Sequence, residues 1–279
     1  MDLNEKSRLA QLLGFDLQGK EYISIPKNIL RIKIDVGLSH DAPHAIQWLK
    51  NDDKLFVIGF EPVEKNIKRL RQLIHENEFK DIKDRFLIIS CALSSASGFV
   101  KIYVTPDNGM SSILEPKAFS IDSTSTVWTE TLDNFMNLID LDRFGRIDYI
   151  KTDCQGFDLE VLKGAKQTLK NTVVVTCESE NFDYFNSENS PERLNSFLTE
   201  IGFEHVNKVS VYSKIFRKLL APIMKIIGAK SKIYNKVIER RHEVPLITGS
   251  GVVAIDPTFV NLRYKHLIKT GEVTALQFN

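Results

Sequence analysis

Five short apolar runs, each followed by a polar or helix-patterned stretch, constrain this chain more than any other feature. They are "RIKIDV" (31–36), "LFVIGF" (55–60), "RFLIISCAL" (85–93), "RIDYIK" (146–151) and "TVVVTCE" (172–178). Near-continuous apolar runs of this length suit strands covered on both faces, as in a parallel sheet. Between the second and third runs, Val63, Ile67, Leu70 and Ile74 fall on one helical face, with Glu64, Lys68, Arg71 and Gln72 off it. "FDLEVLKGAKQTLK" (157–170) repeats the pattern through Leu159, Leu162, Ala165 and Leu169. Strand–helix alternation implies right-handed crossovers and an α/β, doubly wound, mostly parallel sheet with helices on both faces. Ligands of such sheets gather beyond the carboxyl ends of the strands, near the point where strand order reverses. Those strand ends are where chemistry is expected.

Two stretches interrupt the alternation. "GFVKIYV" (98–104) and "STVWTETL" (125–132) are rich in β-formers and predict an edge hairpin or lid. Residues 208–241 carry ten lysines and arginines against one acid, Glu239. In "YSKIFRKLLAPIMKIIG" the apolar side chains gather on one helical side and Pro222 marks a kink or break. This reads as a basic helical insertion that covers the acceptor side of a pocket, forms a homodimer face, or contacts a membrane surface. "SGVVAID" (250–256) follows as the expected last strand. The whole chain, 1–279, then reads as a single domain. Residues 1–30 lead in, 31–206 form the cofactor-binding core, 207–245 the insertion, and 246–279 the last strand and tail.

Composition narrows the function classes. The net charge of +1 offers no global field for nucleic acid. Cys91, Cys154 and Cys177 lack metal-site spacing and suit buried thiols in a reducing compartment. The first residues carry acids and no continuous apolar core, unlike a secretory signal. No apolar stretch reaches the 18 residues or more that a spanning helix needs, so the expected location is cytoplasmic.

At the strand ends, Asp35 and Gly37 close the first run and Glu61 closes the second, 24 positions after Gly37. A carboxylate there accepts hydrogen bonds from two ribose hydroxyls at once. The loop "IDVGLSHDAPH" (34–44) lacks the second and third glycines of a dinucleotide fingerprint, and Asp41 would repel a pyrophosphate. The loop argues against NAD and leaves S-adenosylmethionine, which has no phosphate, open.

The fourth run extends into "IDYIKTDCQGFDLEVLKGA" (147–165), which resembles the block that marks the FkbM family of methyltransferases. That block reads Ile-Lys-x-Asp-x-(Glu or Gln)-Gly followed by a Leu-x-x-Leu-Lys-Gly-Ala-like helix. "IDVG" (34–37), "FEP" (60–62), "ALSSASG" (92–98), "SSI" (111–113), "TLDNF" (131–135) and "VVVTCESE" (173–180) agree in order. The family usually reads Ala-Asn-x-Gly after the first glycine, where this chain has Leu38, Ser39, His40 and Asp41.

The resemblance implies a class I, Rossmann-like methyltransferase fold with a seven-stranded sheet. It also implies S-adenosylmethionine as cofactor and O-methylation of a sugar, glycan or small metabolite. Cofactor-binding residues would be Asp35, Gly37, Phe60, Glu61, Pro62, Cys91, Ala92 and Asp153. Asp153 and Glu178, with His40 as another proton acceptor, would serve the acceptor hydroxyl. Asp153 and Glu178 end adjacent strands, so a hydroxyl or a magnesium or manganese ion could sit between them. The rival readings are a binding module that has lost turnover and a membrane-associated enzyme acting on a lipid-linked acceptor.

Overall fold

The computed structural model of the 279-residue chain describes all residues except 77–78, 107–108, 118–119, 181–188, 207–245, 248–252, 271 and 274–279. In chain order the strands of the first half are β1 (Arg31–Val36), β2 (Leu55–Phe60), β3 (Phe86–Ile89), β4 (Ala92–Leu93), β5 (Gly98–Val104) and β6 (Ser123–Glu130). The second half contributes β7 (Ile147–Thr152), β8 (Thr172–Cys177), β9 (Ser179–Glu180) and β10 (Phe203–His205). It closes with β11 (Leu246–Ile247), β12 (Val253–Ile255) and β13 (Thr258–Asn261). The helices begin with α1 (Leu3–Leu12), α2 (Pro43–Asn51), α3 (Glu64–Leu73), α4 (Leu132–Met136) and α5 (Leu141–Phe144). They continue with α6 (Asp158–Lys163), α7 (Lys166–Lys170), α8 (Pro191–Glu200) and α9 (Lys265–Thr270).

Seven strands form the main sheet in the order β10-β13-β8-β7-β1-β2-β3. All neighbours pair in parallel except β13, which runs antiparallel to both β8 and β10. The chain starts in the middle, moves outward through β2 to β3, and then returns to the other side of β1 with β7. The order therefore reverses between β1 and β7, and the cleft opens beside that point. This is the mostly parallel, doubly wound sheet that the alternating runs imply, with the seven strands that the resemblance implies.

Both faces of the sheet are dry. β2 is buried at every residue, as are β7 and β8. One face packs Ile32, Ile34, Phe60, Phe135 and Ile150. The other packs Val57, Trp48, Leu70, Tyr149 and Val174. A fully buried side chain of this size contributes about 1.5–3 kcal/mol. In α3 the buried stripe includes Ile67 and Leu70, as the periodicity of the sequence demands. The single helix expected over 157–170 is instead split into α6 and α7 around Gly164. A Cβ there would stand 2.0 Å from the Ser94 carbonyl oxygen, so the backbones touch where only glycine fits.

Two sequence expectations need correction. The third run divides into β3 and the two-residue β4, with Ser90 and Cys91 between them. "SGVVAID" is not the last strand of the main sheet. Its residues Val253–Ile255 form β12, which joins β9 and β11 in a separate small sheet, and the following Thr258–Asn261 enters the main sheet as β13. The expected hairpin is present as β5 and β6, paired antiparallel from Gly98↔Thr129 to Val104↔Ser123. The basic stretch 208–241, with the helical, dimer and membrane readings attached to it, lies outside the described residues. Among the described residues no helix is long and apolar enough to cross a membrane.

Candidate functional site

At the carboxyl ends of β1, β2 and β7 the backbone opens into a cleft of about 750 Å³, continuous with solvent. Its floor comes from Val36, Gly37, Phe60, Glu61, Asp153 and Gln155. Its apolar wall includes Pro62, Cys91, Ala92, Leu93 and Ile102, and the segment Ser111–Ile113 closes the far side.

The loop after β1 makes its turn without the missing glycines. Gly37 has φ +87°, and Ser39 and Ala42 also adopt positive φ, 58° and 42°. Non-glycine residues in that region carry strain of about 1–3 kcal/mol each, tolerated where the surroundings over-determine them. The surroundings here are visible. Leu38 is buried and packs over Gly59, where an added Cβ would lie 2.7 Å from the Leu38 methyl carbons. The bend aims the Ser39 N–H at Glu61 Oε2, 2.9 Å away.

Glu61 is the best-defined acid of the cleft. Its Oε1 accepts from Val63 N at 2.9 Å and from Asn66 Nδ2 at 3.2 Å, and its Oε2 accepts from Ser39 N. Burial raises its pKa to about 7, against the lowering effect of these three donors. Asn66 lies beside it, and its Oδ1 is buried with no hydrogen-bond partner among the described residues. A vacant acceptor next to a cleft-lining carboxylate suits a ligand that brings hydroxyl donors. Asn66 was invisible in the sequence as a site residue, because it lies on the buried stripe of an ordinary amphipathic helix.

The acids of β1 and β7 are organised by Lys151. Its ammonium is 3.0 Å from Asp153 Oδ2, and in register it faces Asp35 on β1. Burial pulls the Lys151 pKa down, but Asp153 and Asp35 more than offset this and hold it charged. Burial pushes Asp153 up, and Lys151 with the other hydrogen-bond partners brings it below the usual carboxylate value. Asp35 is pushed up to about 6, first by burial and also by Asp153, with Lys151 and the Ala45 N–H pulling the other way.

That Ala45 N–H belongs to the first turn of α2. Helix α2 starts after Ala42 with no side-chain cap of its own, and the Ala45 N–H is among the groups that lower the Asp35 pKa, while Asp35 Oδ1 is buried with no hydrogen-bond partner among the described residues. Asp35 does not line the cleft. The structure therefore places it behind the wall, supporting the loop and Lys151.

Gln155 joins the remaining acids. Its Nε2 donates to Asp153 Oδ1 at 3.0 Å and to Glu178 Oε2 at 3.1 Å. Its backbone has φ +50°, and its carbonyl accepts from Ser112 Oγ at 2.9 Å. Asp153 and Glu178 are thus brought together, as adjacent strand ends require. The amide of Gln155 thus shares the space between these acids that the sequence assigns to a hydroxyl or a divalent ion. Glu178 itself lies outside the cleft lining, behind Gln155. His40 is also outside it, with its side chain 44% exposed and Nδ1 3.3 Å from Ser39 Oγ.

Behind the site a second buried network holds the start of α6. Asp158 accepts from Cys154 N at 3.3 Å and from Asn189 Nδ2 at 3.2 Å. Asn189 also donates to the Glu178 carbonyl at 2.9 Å and accepts from Leu159 N at 2.9 Å. Burial raises the Asp158 pKa to about 7. Burial, and secondarily Glu130, raises the Cys91 thiol, so Cys91 in the cleft wall is a protonated apolar lining group. Among the described residues no group of three or more His, Cys, Asp or Glu side chains gathers to hold a metal ion.

No curated protein matches the chain. A solved FkbM methyltransferase from Methylobacillus flagellatus KT is similar at 17% identity and a TM-score of 0.42, over 64% of this chain and 40% of that one. The StiE O-MT is similar at 10% identity and a TM-score of 0.40, over 83% and 68% of the two chains. A phosphoethanolamine N-methyltransferase 2 from Haemonchus contortus, solved with phosphomonomethylethanolamine and S-adenosylhomocysteine, is similar at 11% identity and a TM-score of 0.39. It covers 92% of this chain and 52% of its own. The chain thus spans less than half the length of the Methylobacillus protein. The family described as the Methyltransferase FkbM domain matches residues 27–205, and with that match over more than half its length the chain belongs to the FkbM methyltransferase family.

Proposed function

We propose that this chain is an S-adenosylmethionine-dependent methyltransferase acting on a hydroxyl of a sugar, glycan or other small molecule. The observation that carries the reading is Glu61. It lies at the end of β2 in the cleft floor, oriented by three donors and flanked by the unpartnered Asn66 Oδ1. Ribose hydroxyls suit that pair of acceptors, and the wall of Phe60, Pro62, Ala92, Leu93 and Ile102 suits the face of an adenine.

Bound in this cleft, S-adenosylmethionine supplies a methyl group on a positively charged sulfur, already activated for displacement. The residues of the chain then have two tasks. Asp153, ionised and backed by Lys151, is a weak proton acceptor and serves better to hold positive charge at the cleft floor. Orientation of the acceptor against the methyl carbon is worth on the order of 7–11 kcal/mol in well-aligned reactions. The rigid floor provides it through Gly37, Asp153 and the locked Gln155. The negative charge of Asp153 favours departure of the hydroxyl proton.

Incubation with methyl-labelled S-adenosylmethionine and a panel of methyl glycosides and small alcohols tests the reading. Label recovered as a methyl ether is the expected result. Label appearing only on amines overturns the hydroxyl assignment. Tight S-adenosylhomocysteine binding without transfer to any acceptor identifies a binding module instead.

A further inference from the structure

Glu61 has room for one ligand hydroxyl, and the ribose of S-adenosylmethionine brings two. An ionised carboxylate offers about four lone-pair positions, two on each oxygen. Both positions on Oε1 are taken, by Val63 N at 2.9 Å and by Asn66 Nδ2 at 3.2 Å. One position on Oε2 is taken, by Ser39 N at 2.9 Å. All three donors belong to the protein, so a single position, on Oε2, is left for a ligand.

The second acceptor lies on the neighbouring amide. Asn66 lines the same cleft, is 2% exposed, and its Oδ1 is buried with no hydrogen-bond partner among the described residues. A buried acceptor without a partner is costly, and a ligand that brings a donor relieves the cost. The amide cannot be turned over to escape it. That would bring Oδ1 against the Glu61 carboxylate, two acceptors with no proton between them. The start of α3 also fixes the two groups relative to each other. Val63 N donates to Glu61, and Asn66 N donates to the Val63 carbonyl at 3.0 Å. The lining residues beside them, Phe60, Pro62 and Val63, have apolar side chains and offer no further acceptor there.

We propose that the ribose diol is divided between two residues, one hydroxyl donating to Glu61 Oε2 and the other to Asn66 Oδ1. Asn66 is thereby a specificity-determining residue, which reads one hydroxyl of the cofactor on its own. The inference rests on the cofactor reading above and gives each hydroxyl a separate acceptor in place of one carboxylate holding both.

Calorimetric titration at pH 8, where Glu61 is largely ionised, tests the division. The ligands are S-adenosylhomocysteine and its 2′-deoxy and 3′-deoxy analogues. The proteins are the parent and Asn66→Leu, whose side chain is of similar volume but neither donates nor accepts. Each missing hydroxyl is expected to weaken binding to the parent about tenfold, the worth of one hydrogen bond. In Asn66→Leu one of these two penalties should shrink to less than about twofold, while the other stays at about tenfold. A merely structural role for Asn66 would weaken all three ligands and leave both penalties unchanged. Penalties that both persist, or that both shrink alike, overturn the proposal. Should Asn66→Leu fail to fold, Asn66→Ala removes the same acceptor and must show the same pattern. A parent protein that binds none of the three ligands overturns the cofactor reading and this inference with it. A parent that binds S-adenosylhomocysteine without the selective loss in the variant overturns this inference alone.

Discussion

Replacing Lys151 with methionine is expected to destabilise the fold by about 3 kcal/mol at pH 8. The side chain of Lys151 is 6% exposed and compensates two carboxylates, Asp153 at 3.0 Å and Asp35 across the β1–β7 register. Methionine matches its length and apolar stem but leaves both acids without a counter-charge. Removing one partner of a buried ion pair typically costs about 3–5 kcal/mol. The lower end applies because the Asp153 side chain is 38% exposed and solvent screens it.

The loss should depend on pH in a defined direction. Burial already holds Asp35 at about 6, and removal of Lys151 raises it further. An acid whose folded pKa lies above its unfolded value gives stability that is present at low pH and lost as pH rises through the folded pKa. Urea unfolding should therefore show a larger deficit at pH 8 than at pH 5. Parent-like stability at pH 8 would refute the role assigned to Lys151.

Gly37→Ala is expected to cost roughly 3 kcal/mol and to abolish S-adenosylhomocysteine binding. An alanine Cβ would stand 2.1 Å from the Asp153 carbonyl oxygen, at a backbone φ of +87°. The obstacle is backbone, so no side-chain rotation relieves it. The strand ends are tied there by the Asp153 N–H donating to the Val36 carbonyl at 2.9 Å, and the methyl group must pry them apart. The cleft floor is made of these same residues, so binding should fail even in molecules that remain folded. Chemical unfolding and calorimetric titration together separate the two effects. A folded Gly37→Ala protein with parent affinity would remove the β1–β7 contact from the binding site.

The parts of this fold legible in sequence were those carried by a repeating pattern. β1, β2, β7 and β8 are long enough, and apolar enough on both faces, to be read directly. Glu61 was legible because its position follows from the end of β2. The last strand was not. "SGVVAID" and "TFVN" are both short and β-rich, and which of them enters the main sheet depends on pairing with β8 and β10 rather than on either segment. Ser90 and Cys91, between β3 and β4, likewise sit within an apolar run that gives no sign of the break.

The site divides in the same way. Residue types at strand ends brought Asp153 and Glu178 together on paper. The turn at Gln155, with its positive φ, decides what lies between them, and a non-glycine residue gives no warning of that conformation. Asp35 looked like a ligand contact because it precedes the first glycine. Its side chain is buried behind the cleft lining, in register with Lys151.

The central claim is that the cleft holds S-adenosylmethionine through Glu61, and calorimetric titration of S-adenosylhomocysteine into the parent and Glu61→Ala tests it most directly. The variant should bind about 1.5–3 kcal/mol more weakly, the usual worth of hydrogen bonds to a charged group. With Glu61 at about 7, the free parent carries a proton there at pH 6 and has largely lost it at pH 8. Hydroxyl donors favour the ionised form, so parent affinity should rise between these pH values while that of Glu61→Ala stays flat. NAD should bind neither protein. Equal affinity of parent and variant, with no pH dependence in the parent, would contradict the account.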